Sequence, residues 1–217
     1  MKKSKAILMA LCAVLLVAAS VMGTLAYLTS TDTVTNTFTV GNVAITLDEV
    51  QVNANGTPVE DAARVQKNTY KLLPGHTYTK DPTIHVVAGS EDCYLFVKVV
   101  NEIAAIEAKD TDTSKTSIAA QMEAKGWDVV DATNGIYVYA DAQGKPAAVS
   151  AGASVVIFDN FTISGSVDND TLAAYDGETI VIDAYAVQKD GFTGQSASYI
   201  WGETFGKTTT PEPTLAT

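Results

Sequence analysis

The sequence predicts an all-β fold, a jelly-roll-like antiparallel β-sandwich with short helical insertions. Three observations lead there. Short runs rich in Val, Ile, Thr, Tyr and Phe recur with period-two alternation, Gly, Asn, Asp and Pro punctuate them at close intervals, and stretches of helical periodicity are few and brief.

In chain order, residues 33–40 set Thr33, Thr35, Thr37 and Thr39 against Val34, Asn36, Phe38 and Val40, the alternation of an extended strand. Residues 43–52 follow, rich in β-branched side chains, and end at a turn cluster marked by Asn55-Gly56. Further strands are expected at 69–73, 77–87, 93–100, 135–140, 153–164 and 178–188, with a short one at 147–149. Alternation within 93–100 puts Cys93 on the face of Leu95, Val97 and Val99, opposite Lys98. Burial of this lone thiol is favoured over a cross-link between two molecules, because free Cys is among the most buried residue types.

The helical insertions are expected at 114–125, 170–175 and 195–201. In the first, Ile118, Ala119 and Met122 form the apolar set, Thr113 or Ser114 caps the start, and Gly126 takes the left-handed position at the end. Residues 207–217, a Thr/Pro tail, are too polar to pack.

A chain of 217 residues, 47% hydrophobic, can close a core without metals or disulfides. Its 14 Lys+Arg against 25 Asp+Glu give a net charge of −11. Such an anionic chain lacks the electrostatic footprint of a nucleic-acid binder or of a protein that docks on anionic lipid.

The first 28 residues read as an export signal. Lys2, Lys3 and Lys5 form the positive region, residues 6–19 are apolar, and Thr24-Leu25-Ala26 supplies small residues where a peptidase needs them. Cleavage is expected after Ala26, leaving Tyr27 as the new N-terminus, removing Cys12 and leaving no membrane attachment. The alternative is a retained anchor, since residues 6–28 exceed the roughly 20 needed to cross a bilayer. The organisation expected is therefore a cleaved signal peptide (1–26), an extended segment and candidate donor strand (27–42), a β-sandwich domain (43–206) and a tail (207–217).

The block from Gly23 through Tyr27 to Asp32, running into Asn36-Thr-Phe-Thr-Val-Gly-Asn-Val43, resembles the export region of the TasA and camelysin-like proteins of Gram-positive bacteria. The run Leu73-Pro-Gly-His-Thr-Tyr-Thr-Lys-Asp-Pro82 is similar to that family's Pro-Gly turn and Lys-Asp pair, and residues 182–192 are similar to its last core strand. The resemblance implies processing by a SipW-type signal peptidase, a jelly-roll sandwich, and a secreted place in the biofilm matrix or at the cell surface. It also implies assembly with other copies of the same chain into head-to-tail fibres, in which the N-terminal segment of one subunit completes the sheet of the next. The residues are compatible with that role. Residues 31–40 contain no Pro or Gly, and Val34, Asn36, Phe38 and Val40 would set register on an open sheet edge. The plainer alternative makes this segment the first strand of its own sandwich.

Enzymatic activity is not expected, and neither a catalytic residue nor a cofactor nor a metal ligand is assigned. Camelysin-like relatives imply a metalloprotease, yet the only histidines are His76, in a turn, and His85, in a strand, and neither lies in the helical His-Glu-x-x-His arrangement that supplies zinc ligands and a base. Together with Asp81 or Glu91 they would make at best an unusual site. Ser90 and Ser166 lack the nucleophile-elbow context. The acidic pairs Asp110 with Asp112, and Asp168 with Asp170, lack the glycine and closing Glu of an EF-hand loop. A second function class, a glycan-binding adhesin, rests on Tyr137 and Tyr139, which share one strand face, although aromatic core and rim packing is the commoner use of such residues in a β-sandwich.

Overall fold

The computed structural model describes residue 5 and residues 12–15, 41–109 and 116–206. The chain divides into two units, residues 1–40 and 41–217. In the first, residues 12–15 are helical and Cys12 is exposed. The cleavage site Ala26–Tyr27 and the segment with Val34, Asn36, Phe38 and Val40 lie outside the described residues, as do the 207–217 tail, Asp110 and Asp112. No helix among the described residues is long and apolar enough to cross a membrane.

The second unit is an antiparallel β-sandwich with a few short helices. Its strands are β1 (Ile45–Asp48), β2 (Thr77–Thr79), β3 (Thr83–Val86), β4 (Cys93–Asn101), β5 (Trp127–Asp131), β6 (Ile136–Tyr139), β7 (Ala148–Val149), β8 (Ser154–Val156), β9 (Asn160–Thr162) and β10 (Ile180–Gln188). Its helices are α1 (Ile118–Ala124), α2 (Asn169–Ala173) and α3 (Ala197–Thr204). One sheet runs β1-β3-β8; the other runs β10-β4-β6-β5, with β7 also on β4; β2 and β9 form a separate pair. The chain therefore crosses between the two larger sheets three times: after β3, after β7 and, by way of β9, between β8 and β10.

The two sheets face each other across one core. Ile84 and Val86 from β3 and Val155 from β8 meet Cys93, Leu95 and Val97 from β4 and Trp127 from β5. Cys93 lies on the core face with Leu95 and Val97 as alternation requires, and its buried Sγ donates to Val149 O at 3.6 Å. Burial, reinforced by the charge of Asp92, pushes this thiol up to about 11. Tyr94 and Phe96 point the other way, into a second cluster with Val138 and Ile200, where Trp201 and Phe205 from α3 and its end close over the outer face.

Several sequence expectations need correction. Residues 77–87 are two strands, β2 and β3, because Pro82 has no amide to give to a ladder. Residues 153–164 likewise split into β8 and β9, in different sheets. Residues 69–73 are not a strand; Tyr70 instead packs edge-on against Tyr78 and Phe161. Strand β5 was not expected at all. Helix α1 starts later than its pattern suggests, since Ser117 accepts from the Ala120 amide at 3.2 Å and is the cap, and Gln121 replaces Ala119 among its buried residues. Gly126 does take the left-handed conformation, φ 85°. The β5–β6 turn needs Gly135 for two reasons: its φ is 65°, and a Cβ there would lie 2.3 Å from the Val99 carbonyl oxygen.

Candidate functional site: an unsealed groove between two sheet edges

The order of strands places β1 and β10 at one side of the sandwich and β8 and β5 at the other. The β8/β5 side is closed. Trp127 reaches across from β5 and donates its indole N–H to Val156 O of β8 at 3.1 Å. Helix α1 spans the same gap: Gln121 accepts from the Asp159 amide at 3.1 Å and donates to Asn160 O at 2.9 Å, and Lys125 pairs with Asp159 at 2.9 Å.

The β1/β10 side is open. A cavity of about 1330 Å³ lies between these strands, with Ile45 and Leu47 on one wall, Ile180 and Ile182 on the other, and Ile103 and Phe161 among the buried residues that line it. Ile45, Leu47, Ile180 and Ile182 pack against the core yet are only half-buried, whereas Ile84, Leu95 and Val97 on the inner strands are fully buried.

The rim near Glu49 is a polar network. Lys80 pairs with Glu49 at 2.5 Å with both side chains nearly excluded from water, and Asn68 donates to Glu49 Oε1 at 2.9 Å and to Val50 O at 2.8 Å. Glu49 exchanges both backbone hydrogen bonds with Val65, each 2.8 Å. Burial, with the nearby Glu49 charge adding to it, raises the Tyr70 phenol well above its ordinary range, and its hydroxyl donates to Thr79 O at 3.2 Å. The Lys80-Asp81 pair picked out in the sequence is thus a tether. Lys80 holds Glu49, and Asp81 accepts from the Val50 amide at 2.7 Å and from Arg64 at 2.9 Å.

The two histidines do not meet. His76 donates to Asn55 O at 2.9 Å and packs its ring 4.6 Å from that of Tyr78. His85 lies on the outer face of the three-stranded sheet, where in its neutral form Nδ1 accepts from Ser154 Oγ at 2.7 Å and Nε2 donates to Asp48 Oδ1 at 3.0 Å. Arg64 holds Asp48 in turn. This serine–histidine–aspartate chain was invisible in the sequence, because it follows from the pairing of His85 with Ser154 across β3 and β8. It has the order of a nucleophile, a base and an orienting carboxylate. The cavity, however, is lined by Asp48 but by neither His85 nor Ser154. Ser90 instead bonds Ala44, Ser166 bonds Ser164, and Asp168 caps α2 by accepting from the Thr171 amide at 2.8 Å. Among the described residues no group of three His, Cys, Asp or Glu could hold a metal ion.

Tyr137 and Tyr139 do not form an exposed aromatic face. Both pack against the main core, and Tyr139 lies 5.5 Å from Trp127, ring to ring.

No protein-family model, curated protein or solved structure matches the chain.

Proposed function

We propose that this chain is an exported structural protein of the TasA and camelysin-like kind, without enzymatic activity, placed at the cell surface or in the biofilm matrix of a Gram-positive bacterium. Copies join by β-strand addition after a SipW-type peptidase cuts between Ala26 and Tyr27. The segment bearing Val34, Asn36, Phe38 and Val40 leaves one copy and enters the groove of the next. The observation that carries this reading is the unsealed β1/β10 side, where two strand edges and half-covered core residues border a cavity large enough for an extended chain. Main-chain hydrogen bonds would supply affinity and alternate side chains the register. Addition of this kind is head-to-tail and does not close on itself, so it yields filaments.

Deletion of residues 27–40 tests the proposal. The mature protein should form filaments under electron microscopy, and the truncated protein should stay a folded monomer. Normal polymerisation of the truncated chain, or a mature chain that remains monomeric under all assembly conditions, refutes it.

A further inference from the structure

We infer that the protein cross-links itself: the Lys80 amine forms an amide bond to the side-chain carbonyl carbon of Asn68, and ammonia leaves. The inference is independent of strand addition. It starts from a lysine where lysines seldom sit. Lys80 is 8% exposed and its partner Glu49 5%, and taking such a pair out of water costs enough that stability alone is a weak reason for it.

The pair has a third member. Lys80 Nζ donates to Glu49 Oε2 at 2.5 Å, and Asn68 Nδ2 donates to Oε1 of the same carboxylate at 2.9 Å. One carboxylate thus holds an amine and a carboxamide as neighbours on its two oxygens. Asn68 is pinned in that pose, since Nδ2 also donates to Val50 O at 2.8 Å and Oδ1 accepts from Val52 N–H at 3.0 Å. Its amide can face only one way, because Val52 offers a donor where Glu49 and Val50 offer acceptors. The backbone of Lys80 is fixed too, its N–H donating to Asp159 O at 3.1 Å. Tyr70 stands beside both Glu49 and Asn68, with its ring 5.1 Å from that of Phe161, so the trio has an apolar flank.

These parts are the ones amide exchange needs. Lys80 gives a proton to Glu49 and becomes a neutral amine, and its lone pair adds to Asn68 Cγ. The carbonyl electrons move onto Oδ1, where the Val52 N–H already points and stabilises the charge. Glu49 then passes its proton to Nδ2, the Cγ–Nδ2 bond breaks, and ammonia departs. The remaining extra proton on Nζ returns by way of Glu49 and leaves with the ammonia as ammonium. One ammonium and one carboxamide become one amide and one ammonium, with Glu49 restored and no oxidant consumed. The event happens once per chain and does not make the protein an enzyme toward other molecules. Glu49, Asn68 and Lys80 all line the cavity between β1 and β10, which gives the ammonia a way out.

The bond would tie the segment after β1 to the end of β2. A load drawn along the chain would then pass through the two side chains and spare residues 69–79, which hold the Pro74-Gly75 turn.

Mass spectrometry of the mature protein, unfolded before measurement, tests the inference. The intact chain should be lighter than its sequence by one ammonia. Trypsin cuts after Lys67, Lys71 and Lys98 but not after a modified Lys80, so residues 68–71 should be found joined to residues 72–98. Glu49→Gln keeps the shape of the carboxylate without its proton transfer, and both it and Lys80→Ala should have the full sequence mass and no joined peptide. A wild-type chain at full mass that trypsin cuts after Lys80 overturns the inference. So does loss of ammonia without the joined peptide, as a ring closure at Asn55-Gly56 would give, and so does loss of water with Lys80 joined to Glu49. If the variants do not fold, the wild-type peptide decides alone.

Discussion

The two sides of this sandwich solve the same problem in opposite ways. Where β5 and β8 end their sheets, an insertion closes the gap: Trp127 bridges to Val156, and α1 lays Ile118, Gln121 and Met122 across it. Where β1 and β10 end theirs, a cavity remains between the edges, bordered also by residues 65–72 and by Asn169, Leu172 and Ala173 of α2, and the core residues on the two strands stay half-covered. An open edge is a template for pairing with another chain, and folded proteins ordinarily blunt it. The difference also predicts where mutations will hurt: the closed side should carry more of the monomer's stability and, on the strand-addition proposal, the open side its assembly.

The largest expected effect is at Trp127, 1% exposed. Trp127→Ala removes the bridge and leaves a cavity among Met122, Ile157 and its neighbours, costing about 3–5 kcal/mol of unfolding free energy. The matching change on the open side, Ile182→Ala, removes a half-buried side chain and should cost the monomer only about 1–2 kcal/mol. Chemical denaturation of both variants checks the contrast. Equal losses would mean that the two sides contribute alike to the monomer, and the comparison would fail.

A middle-sized effect belongs to Gln121. Its amide donates to Thr116 O at 3.0 Å and to Asn160 O, and its carbonyl accepts from Asp159 N–H and Asn160 N–H. Gln121→Ala removes these bonds to part-buried backbone groups of Thr116, Asp159 and Asn160 and leaves the groups to water, at a cost of about 1–2 kcal/mol. Gln121→Glu sharpens the reading. It keeps the acceptor but loses the donor, so denaturation should place it between the wild type and the alanine variant.

Much of this division was legible in the sequence and part of it was not. Strands β4 and β10 stand out because long alternating runs are bounded by turn residues, and Cys93 could be assigned to the core face from alternation alone. Strand β5 has no clear signature in the sequence because Trp127-Asp-Val-Val-Asp131 carries two carboxylates, exposes Val129 at 60% and is irregular in register before Asp131. The cap of α1 is not legible locally because Ser117 competes with earlier Ser and Thr residues, and a distant group reinforces it: the Glu107 carboxylate accepts from Ile118 N–H at 2.7 Å. The groove itself could not be read at all. Nothing local says that residues 45–49 and 177–182 share a cavity, just as nothing local pairs His85 with Ser154. Both are products of topology, and topology is decided by which strands meet.

The smallest effect is electrostatic and lies at the edge of the open side. Burial alone would raise the Asp48 carboxyl, but hydrogen bonds and charge from Arg64 and His85 outweigh it and hold the group below the usual aspartate value. A carboxyl depressed in the folded state stabilises that state in full above its unfolded pKa and loses the contribution as pH falls through the lower folded one. Asp48→Asn should therefore weaken the protein at neutral pH and converge with the wild type in strong acid, flattening the acid limb of the stability curve. The side chains of Asp48 and Arg64 are 26% and 35% exposed, so solvent screening limits the loss to about 1 kcal/mol. Thermal unfolding of the two proteins between about pH 2 and pH 7 measures the gap. A gap that widened toward acid would have the wrong sign for a depressed carboxyl, whereas no gap at any pH would mean that Arg64 is held in place chiefly by Asp81, Thr83 and the two backbone carbonyls it also contacts.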